Sequence, residues 1–146
     1  MSMPSTLHDE IHDWFFSEYF KDFIAISAGK MDPEMILAYW GAPIHMSGPT
    51  HSRWLTSSEE VVRFLENMQA ALKTAGYNHT VAIDENIMVY SENASRVETI
   101  MSRRRGDATE MDRAAISFEI RRAGDGWTII STTARPTDLA KLHDVW

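Results

Sequence analysis

Apolar residues follow two different periods along the chain, and the change falls near residue 77. Residues 58–75 carry them at helical spacing, whereas residues 80–134 alternate apolar and polar side chains as strands do. Helices followed by a run of strands indicate an α+β domain with the helices on one face of a curved sheet. Because such layers leave space between them, we expect a pocket for a small molecule.

Capping signals mark where the first two helices begin. Thr6 or Ser5 can cap a first helix that we expect to end before Gly29. The apolar residues of this helix are too widely spread for one stripe, so we expect two of its sides to be covered. Asp32-Pro33 pairs a capping side chain with the residue favoured in a first turn, and it predicts a short second helix through Trp40.

The third helix has the strongest signals. Ser57 and Glu60 form a capping-box pattern at its start, and Gly76 closes it. The apolar positions between them share one helical face: Val61, Phe64, Leu65, Met68, Leu72 and Ala75. In the preceding segment, residues 42–56, we expect a short strand at 44–46 and otherwise a loop.

The second half of the chain predicts antiparallel strands. Glu85 interrupts the first of them, which indicates a bend or a bulge there. Residues 96–105 have no clean apolar face, so this strand should line a polar cavity, lie near an edge, or both. Gly124-Asp125-Gly126 predicts a hairpin turn before the last strand. We expect the tail, residues 136–146, to dock as a helical turn or to fray.

Composition limits the class of protein. A chain of 146 residues can bury a core without disulfides or metal, so we expect a single domain, 1–146, with its core at about 7–135. Cysteine is absent, which excludes thiol nucleophiles and thiolate metal sites. The net charge of −7 opposes binding to phosphate backbones, so no nucleic-acid partner is expected. With no signal-peptide pattern and no bilayer-spanning stretch, we expect no membrane association and a cytoplasmic location.

Four short motifs occur in an order and at a spacing that resemble one superfamily. They are Asp32-Pro33-Glu34, Gly76-Tyr77, Ala94-Ser95-Arg96-Val97 and Asp125-Gly126-Trp127-Thr128-Ile129. Over about residues 7–135, the chain is similar to the nuclear transport factor 2-like superfamily, and within it to the SnoaL-like and ketosteroid isomerase-like branch. The resemblance implies a cone-shaped, curved antiparallel sheet with three N-terminal helices packed on its concave face. It also implies a homodimer that forms through the sheet.

The resemblance leaves the reaction open, because members include isomerases, hydrolases, cyclases, dehydratases and plain binding or scaffolding domains. Ketosteroid isomerases use an aspartate base on the strand after the second helix. Here no Asp or Glu occurs between Met35 and Ser58, but His45 lies in that strand and is a candidate base. The alternative interpretation of His45 is an ordinary hydrogen-bonded histidine in the pocket or at the surface.

A second family mechanism points to the third motif and the residue that follows it. Limonene epoxide hydrolases of this fold activate water with an aspartate-arginine-aspartate set, and Arg96-Val97-Glu98 resembles its Arg-x-Asp part. Arg96 and Glu98 are therefore candidate catalytic residues. The remaining carboxylate of the set is expected near Thr132 or Thr133, and neither position carries one. The alternative is that Arg96 and Glu98 form a cross-strand charge pair.

Two other polar clusters have simpler interpretations. His8 and His12 share a helix face but lack the third ligand that zinc needs, so we expect no metal and no cofactor. The run at 103–105, Arg-Arg-Arg, lies among acidic residues and predicts a paired, solvated strand end.

Aromatic side chains form the candidate ligand site, because they lie on elements expected to surround the cone. They are Trp14, Tyr19, Tyr39, Trp40, Trp54 and Phe118. Two classes of function stay open. One is an enzyme or binder for a small hydrophobic, ring-containing ligand that is oriented by His45, Glu98 or a tyrosine hydroxyl. The other is a non-catalytic dimeric interaction or scaffolding module whose aromatic residues fill the core.

Overall fold

The first helical region begins the fold. The computed structural model describes residues 6–146, and the candidate cap Ser5 lies outside them. Three segments follow one another without a break: α1 (Leu7–His12), a π-helical segment (Asp13–Tyr19) and α2 (Phe20–Ser27). Thr6 caps α1, since its Oγ1 accepts a hydrogen bond from the backbone N–H of Asp9 at 3.1 Å. Buried side chains spaced four apart turn one side toward the core: Ile11, Phe15 and Tyr19.

The second predicted helix is a 3-10 helix, Pro33–Ala38, with Asp32 as its cap. It ends earlier than the sequence predicts, because Trp40 is the first residue of strand β1 (Trp40–Ser47). The cause is a hydrogen bond to the sheet: the backbone N–H of Ile129 donates to the carbonyl of Tyr39 at 2.7 Å. This bond draws the chain into an extended conformation at the point where the helix would continue.

Helix α3 (Ser58–Ala75) agrees with its signals. The hydroxyl of Ser57 accepts a hydrogen bond from the backbone N–H of Glu60 at 3.2 Å. The Glu60 carboxylate accepts in turn from the backbone N–H of Thr56 at 3.0 Å. Gly76 ends the helix with φ at +84°, a conformation that favours glycine.

The sheet has six strands in the order β2-β1-β6-β5-β4-β3. The strands after β1 are β2 (Ser52–Leu55), β3 (Tyr77–Ser91), β4 (Ala94–Arg105), β5 (Glu110–Ala123) and β6 (Gly126–Pro136). Neighbours pair antiparallel, except that β1 and β6 pair in parallel. The α+β class with a curved, unclosed sheet is confirmed. The helices cover one face of the sheet, which we call the inner face; the opposite face is the outer face.

Two details of the sheet differ from the expectation. Strand β2 forms where a loop was expected, because 52–55 pairs with 44–47 as a hairpin. Strand β4 lies between β3 and β5, so it does not lie at an edge. It still lines a cavity, through Met101 and Arg103. The neighbouring strand β3 supplies a partner for one of the buried hydroxyl groups of β4, since Thr99 Oγ1 donates to the backbone carbonyl of Asp84 at 2.9 Å.

The predicted irregularity in β3 is confirmed, and it receives the C-terminal tail. The register of β3 shifts between Ala82 and Asp84. The Asp84 carboxylate accepts a hydrogen bond at 2.9 Å from the backbone N–H of Leu142, in a 3-10 turn at Leu142–Asp144. Leu142 and Val145 are buried, so the tail docks.

Among the described residues, no helix is long and apolar enough to cross a membrane.

Tyr19 and Trp40 connect the first helical region to β1 inside the core. The indole N–H of Trp40 donates to the Tyr19 hydroxyl at 3.1 Å, and both side chains are buried. The Tyr19 ring centroid lies 5.1 Å from that of Phe15 and 5.9 Å from that of Phe118. Burial raises the pKa of Tyr19 well above its usual value, so its phenol stays protonated.

The raised pKa of Tyr19 should make the fold sensitive to alkali. An unfolded tyrosine loses its proton near pH 10, whereas the buried phenol keeps it, so the stabilisation by Tyr19 is complete below about pH 10 and is lost as the pH rises further. We expect the free energy of unfolding to fall by up to about 1.4 kcal/mol per pH unit for this group. Urea unfolding at several pH values should show a shallower decline for Tyr19→Phe.

The wild type and the variant are compared by the slope of the free energy of unfolding against pH. The absolute values differ at every pH, because Tyr19→Phe also leaves the indole N–H of Trp40 without its partner. Part of the slope should remain in the variant, since burial also raises the pKa of Tyr39 and of Tyr77. An identical slope in the wild type and the variant would contradict this account.

Candidate functional site

A cavity of about 380 Å³ lies between the inner face of the sheet and helices α2 and α3. Its walls come from the first helical region, α3, the β1–β2 region and the four long strands. The helices contribute Tyr19, Phe23, Ser27, Phe64, Met68 and Leu72, and the sheet contributes Trp40, Met46, Thr80, Met101, Ala114, Ile116, Phe118, Thr132 and Ala134. Most of these side chains are apolar, and a cavity of this size suits a small organic molecule.

Regular spacing on the helices brings the apolar wall together. Phe64, Met68 and Leu72 follow one another at intervals of four on α3, so they share one side of that helix. Met46 and Met101 face them from the sheet. Methionine side chains are flexible and polarisable, so this wall can adapt to ligands of different shape.

Three buried aromatic residues, Tyr19, Trp40 and Phe118, form the inner end of the cavity. The Tyr19 oxygen accepts the hydrogen bond from Trp40, but no acceptor for its own proton lies among the described residues. A phenol can donate one hydrogen bond while it accepts another. Tyr19 can therefore donate a hydrogen bond to a molecule in the cavity.

The mouth of the cavity carries charged side chains that neutralise one another. Arg103 makes two hydrogen bonds to Asp112, one of them 2.6 Å long from Nε to Oδ1. The hydrogen bond to Asp112 raises the pKa of the Arg103 guanidinium further. Arg113 donates from Nε to the Glu110 carboxylate at 2.9 Å. The sequence predicts that acidic residues pair with the arginine run at 103–105, and such a pair is present at Arg103.

The β1–β2 loop forms another part of the mouth. The His51 ring lies directly over Gly48, where an added Cβ would stand 2.6 Å from His51 Cε1. Any larger residue at position 48 would displace the imidazole. His51 is the one histidine among the described lining residues, and an imidazole can both accept and donate a proton near neutral pH.

Three of the six predicted aromatic residues line the cavity: Tyr19, Trp40 and Phe118. The other three do not. Trp14 packs against the rings of Tyr19 and Tyr39, with centroids 6.2 Å and 5.9 Å away. The Tyr39 hydroxyl donates a hydrogen bond to the Asp22 carboxylate at 2.5 Å. Trp54 is 59% exposed and lies on the edge strand β2.

His45 does not reach the cavity. Ile44 and Met46 are buried toward the inner face, and alternation along β1 turns the residue between them to the outer face. There the His45 ring contacts Trp54 at 4.9 Å between centroids, and its Nε2 lies 3.2 Å from Ser52 Oγ. The expectation that a base on this strand points into the pocket fails for this reason.

Arg96 and Glu98 lie together, but also on the outer face. Arg96 Nε donates to Ser117 Oγ at 2.9 Å and lies 3.6 Å from Glu98 and 3.4 Å from Glu119. Glu98 accepts a hydrogen bond from the indole N–H of Trp146 at 3.3 Å. This arrangement is the cross-strand charge pairing that was the alternative interpretation. The structure therefore places none of the three candidate catalytic residues in the cavity.

Sequence reasoning missed several polar residues that line the cavity, namely Ser27, His51, Thr80 and Asp112. For Ser27 the signal was available, since Tyr19, Phe23 and Ser27 are spaced four apart on one helix. For the others there was no such signal. Their positions depend on the pairing of strands and on the path of the β1–β2 loop.

In the described range, no group of three or more His, Asp or Glu side chains is placed to hold a metal ion.

Comparisons with solved structures agree with the observed architecture. The yeast UBP3-associated protein BRE5 has a TM-score of 0.70 at 10% identity, and the match covers 92% of this chain and 100% of that chain. A protein of unknown function with a cystatin-like fold from Nostoc punctiforme has a TM-score of 0.70 at 16% identity, covering 96% and 99%. A protein from Catenulispora acidiphila in complex with S-DNPA has a TM-score of 0.65 at 13% identity, covering 88% and 94%. At these identities, the likeness shows the fold.

A family comparison gives the assignment. Among curated proteins, none matches the chain. The family model described as NTF2-like protein (DUF6841) matches residues 9–137, which is most of the chain. The resemblance drawn from the four motifs is thereby confirmed, and the chain belongs to this NTF2-like family.

Proposed function

We propose that the protein binds a small, mostly apolar molecule in the cavity and orients it through the hydroxyl of Tyr19. The observation that carries the proposal is a buried phenol, with no acceptor for its proton among the described residues, at the inner end of an apolar cavity. A hydrogen bond made there is shielded from water, so it contributes more than it would at the surface. The solved Catenulispora acidiphila protein, which shares the fold, is in complex with a small molecule, S-DNPA, and this supports the proposal.

The apolar walls set the kind of ligand. Burial of carbon against Phe23, Phe64 and the methionines contributes roughly 25 cal/mol per Å² removed from water. One correctly placed hydrogen bond then selects the orientation, as is usual for small-molecule sites.

Isomerase, hydrolase or cyclase activity stays a prediction of the resemblance, and in this cavity His51 is the residue best suited to transfer a proton. A cytoplasmic location also stays a prediction.

The Tyr19 role can be tested with two probes that differ by one oxygen atom. We expect 4-phenylphenol to bind to the wild type and to bind about tenfold more weakly to Tyr19→Phe, because one hydrogen bond is lost. Biphenyl has no oxygen, so it should bind to both proteins alike and show that the cavity is intact. Isothermal titration calorimetry measures all four affinities.

The matched control is Tyr90→Phe, which removes the hydroxyl of a tyrosine that is 51% exposed and does not line the cavity. This variant should bind 4-phenylphenol like the wild type. Equal affinities of the wild type and Tyr19→Phe for 4-phenylphenol would contradict the role of Tyr19. Failure of both probes to bind to the wild type would contradict the proposed function itself.

A second candidate function, a dimeric interaction module, is favoured by the outer face of the sheet. Two tryptophans are exposed there, Trp54 at 59% and Trp146 at 50%. Arg96 and Glu119 place both signs of charge on the same face. Exposed aromatic residues and mixed charge are typical of surfaces that bind a second copy across a two-fold axis. Homodimerisation through this face is thus part of the proposal.

Sedimentation velocity at micromolar concentration should give a dimer for the wild type and a monomer for Trp54→Ser, since the variant removes a large, exposed apolar side chain from the proposed interface. Leu37→Ser is the control, because Leu37 is also exposed, at 38%, but lies in the 3-10 helix Pro33–Ala38. A wild type that is monomeric, or a Trp54→Ser variant that stays dimeric, would count against this interface.

A further inference from the structure

Ser27 is a buried hydroxyl whose hydrogen-bonding capacity the fold leaves largely unused. It lies in the last turn of α2, is 3% exposed and lines the cavity. Its Oγ makes no hydrogen bond of normal geometry among the described residues, and its interaction with the nearby Tyr77 hydroxyl, which pairs with Thr80 at 2.6 Å, is only a loose one. Buried polar atoms are nearly always paired, so an unpaired one requires an explanation. A group on a bound molecule would provide the missing partner.

Ser27 and Tyr19 are two polar points on one wall. Ser27 follows Tyr19 by eight positions, and Phe23 lies midway between them. All three line the cavity. Eight residues of helix separate the two Cα atoms by about 12 Å along the axis. The helix wall therefore presents a hydroxyl, an apolar ring and a second hydroxyl in sequence.

The charges of the site argue against an ionic ligand. The charged residues among the described lining residues are Arg103, Asp112 and Arg113. Arg103 is paired with Asp112, and Arg113 is paired with Glu110. A carboxylate on the ligand would lose its hydration without gaining an unpaired cation, which is unfavourable. The interior offers hydroxyl groups, which pair with neutral oxygen atoms.

We propose that Ser27 is a second recognition residue of the cavity, and that its ligand is a neutral, elongated apolar molecule with an oxygen atom near each end. One oxygen accepts the hydrogen bond from Tyr19, and the other forms a hydrogen bond with Ser27. This inference rests on the proposed binding function and narrows it to a class of ligand. It also makes Ser27 a determinant of specificity, since a molecule with one oxygen leaves that hydroxyl unpaired.

The test uses three probes with the same two rings: 4-phenylphenol, biphenyl-4,4′-diol and 4′-hydroxybiphenyl-4-carboxylate. Calorimetric titration of the wild type should give about tenfold tighter binding for the diol than for 4-phenylphenol, and the weakest binding for the carboxylate. In Ser27→Ala the advantage of the diol should disappear, while the affinity for 4-phenylphenol stays the same. The change of this ratio is a readout that a purely structural role of Ser27 would not produce.

Ser95→Ala is the matched control. Ser95 is also a buried serine, 1% exposed, whose Oγ has no partner among the described residues, but it does not line the cavity. This variant should keep the wild-type ratio. Equal binding of the diol and 4-phenylphenol by the wild type, or tight binding of the carboxylate, would overturn the inference and leave the proposed function standing. Failure of every probe to bind would overturn both.

Discussion

The curvature of the six-stranded sheet is the constraint on which the rest of the structure depends. Four long strands coil around the inner face, and register shifts in β3 and between β5 and β6 add to the bend. The helices fill one end of the hollow with a dense aromatic cluster around Phe15, Tyr19 and Phe118. At the other end they leave a cavity of about 380 Å³. The cavity is thus a consequence of a sheet that encloses more space than the helices occupy.

The polarity of that space changes from the inside to the mouth. Inside, the polar atoms are hydroxyl groups on apolar walls, and Tyr19 stays neutral because burial raises its pKa. At the mouth, Arg103 and Asp112 satisfy each other, so the charges do not extend inward. A neutral ligand loses little hydration free energy on leaving water, and it gains both apolar contact and hydrogen bonds. The same distribution of polar groups disfavours an ionised ligand.

Local signals predicted the elements of the fold well, because they act within a few residues. The caps at Thr6, Asp32 and Ser57 and the interruption near Glu85 appear where the sequence places them. Trp40 was misplaced because a hydrogen bond between Tyr39 and Ile129, far apart in the chain, decides its conformation. No pattern within a short window contains that contact.

The site was harder to predict, since it depends on which face each strand residue takes. His45, Arg96 and Glu98 suit catalysis by residue type, but alternation along β1 and β4 turns them to the outer face. Tyr19, Trp40 and Phe118 line the cavity, and that they bind a ligand stays a prediction. For Ser27, the helical spacing was visible in the sequence. That its hydroxyl makes no hydrogen bond of normal geometry became evident only in three dimensions.

The most direct test of the central claim is a crystal structure of the protein with bound 4-phenylphenol. We expect electron density for the two rings inside the cavity, between Phe23 and the side of α3 that carries Phe64, with the probe oxygen within hydrogen-bond distance of Tyr19 Oη. A hollow closed by rearranged protein side chains, or a probe bound only outside it, would contradict the account.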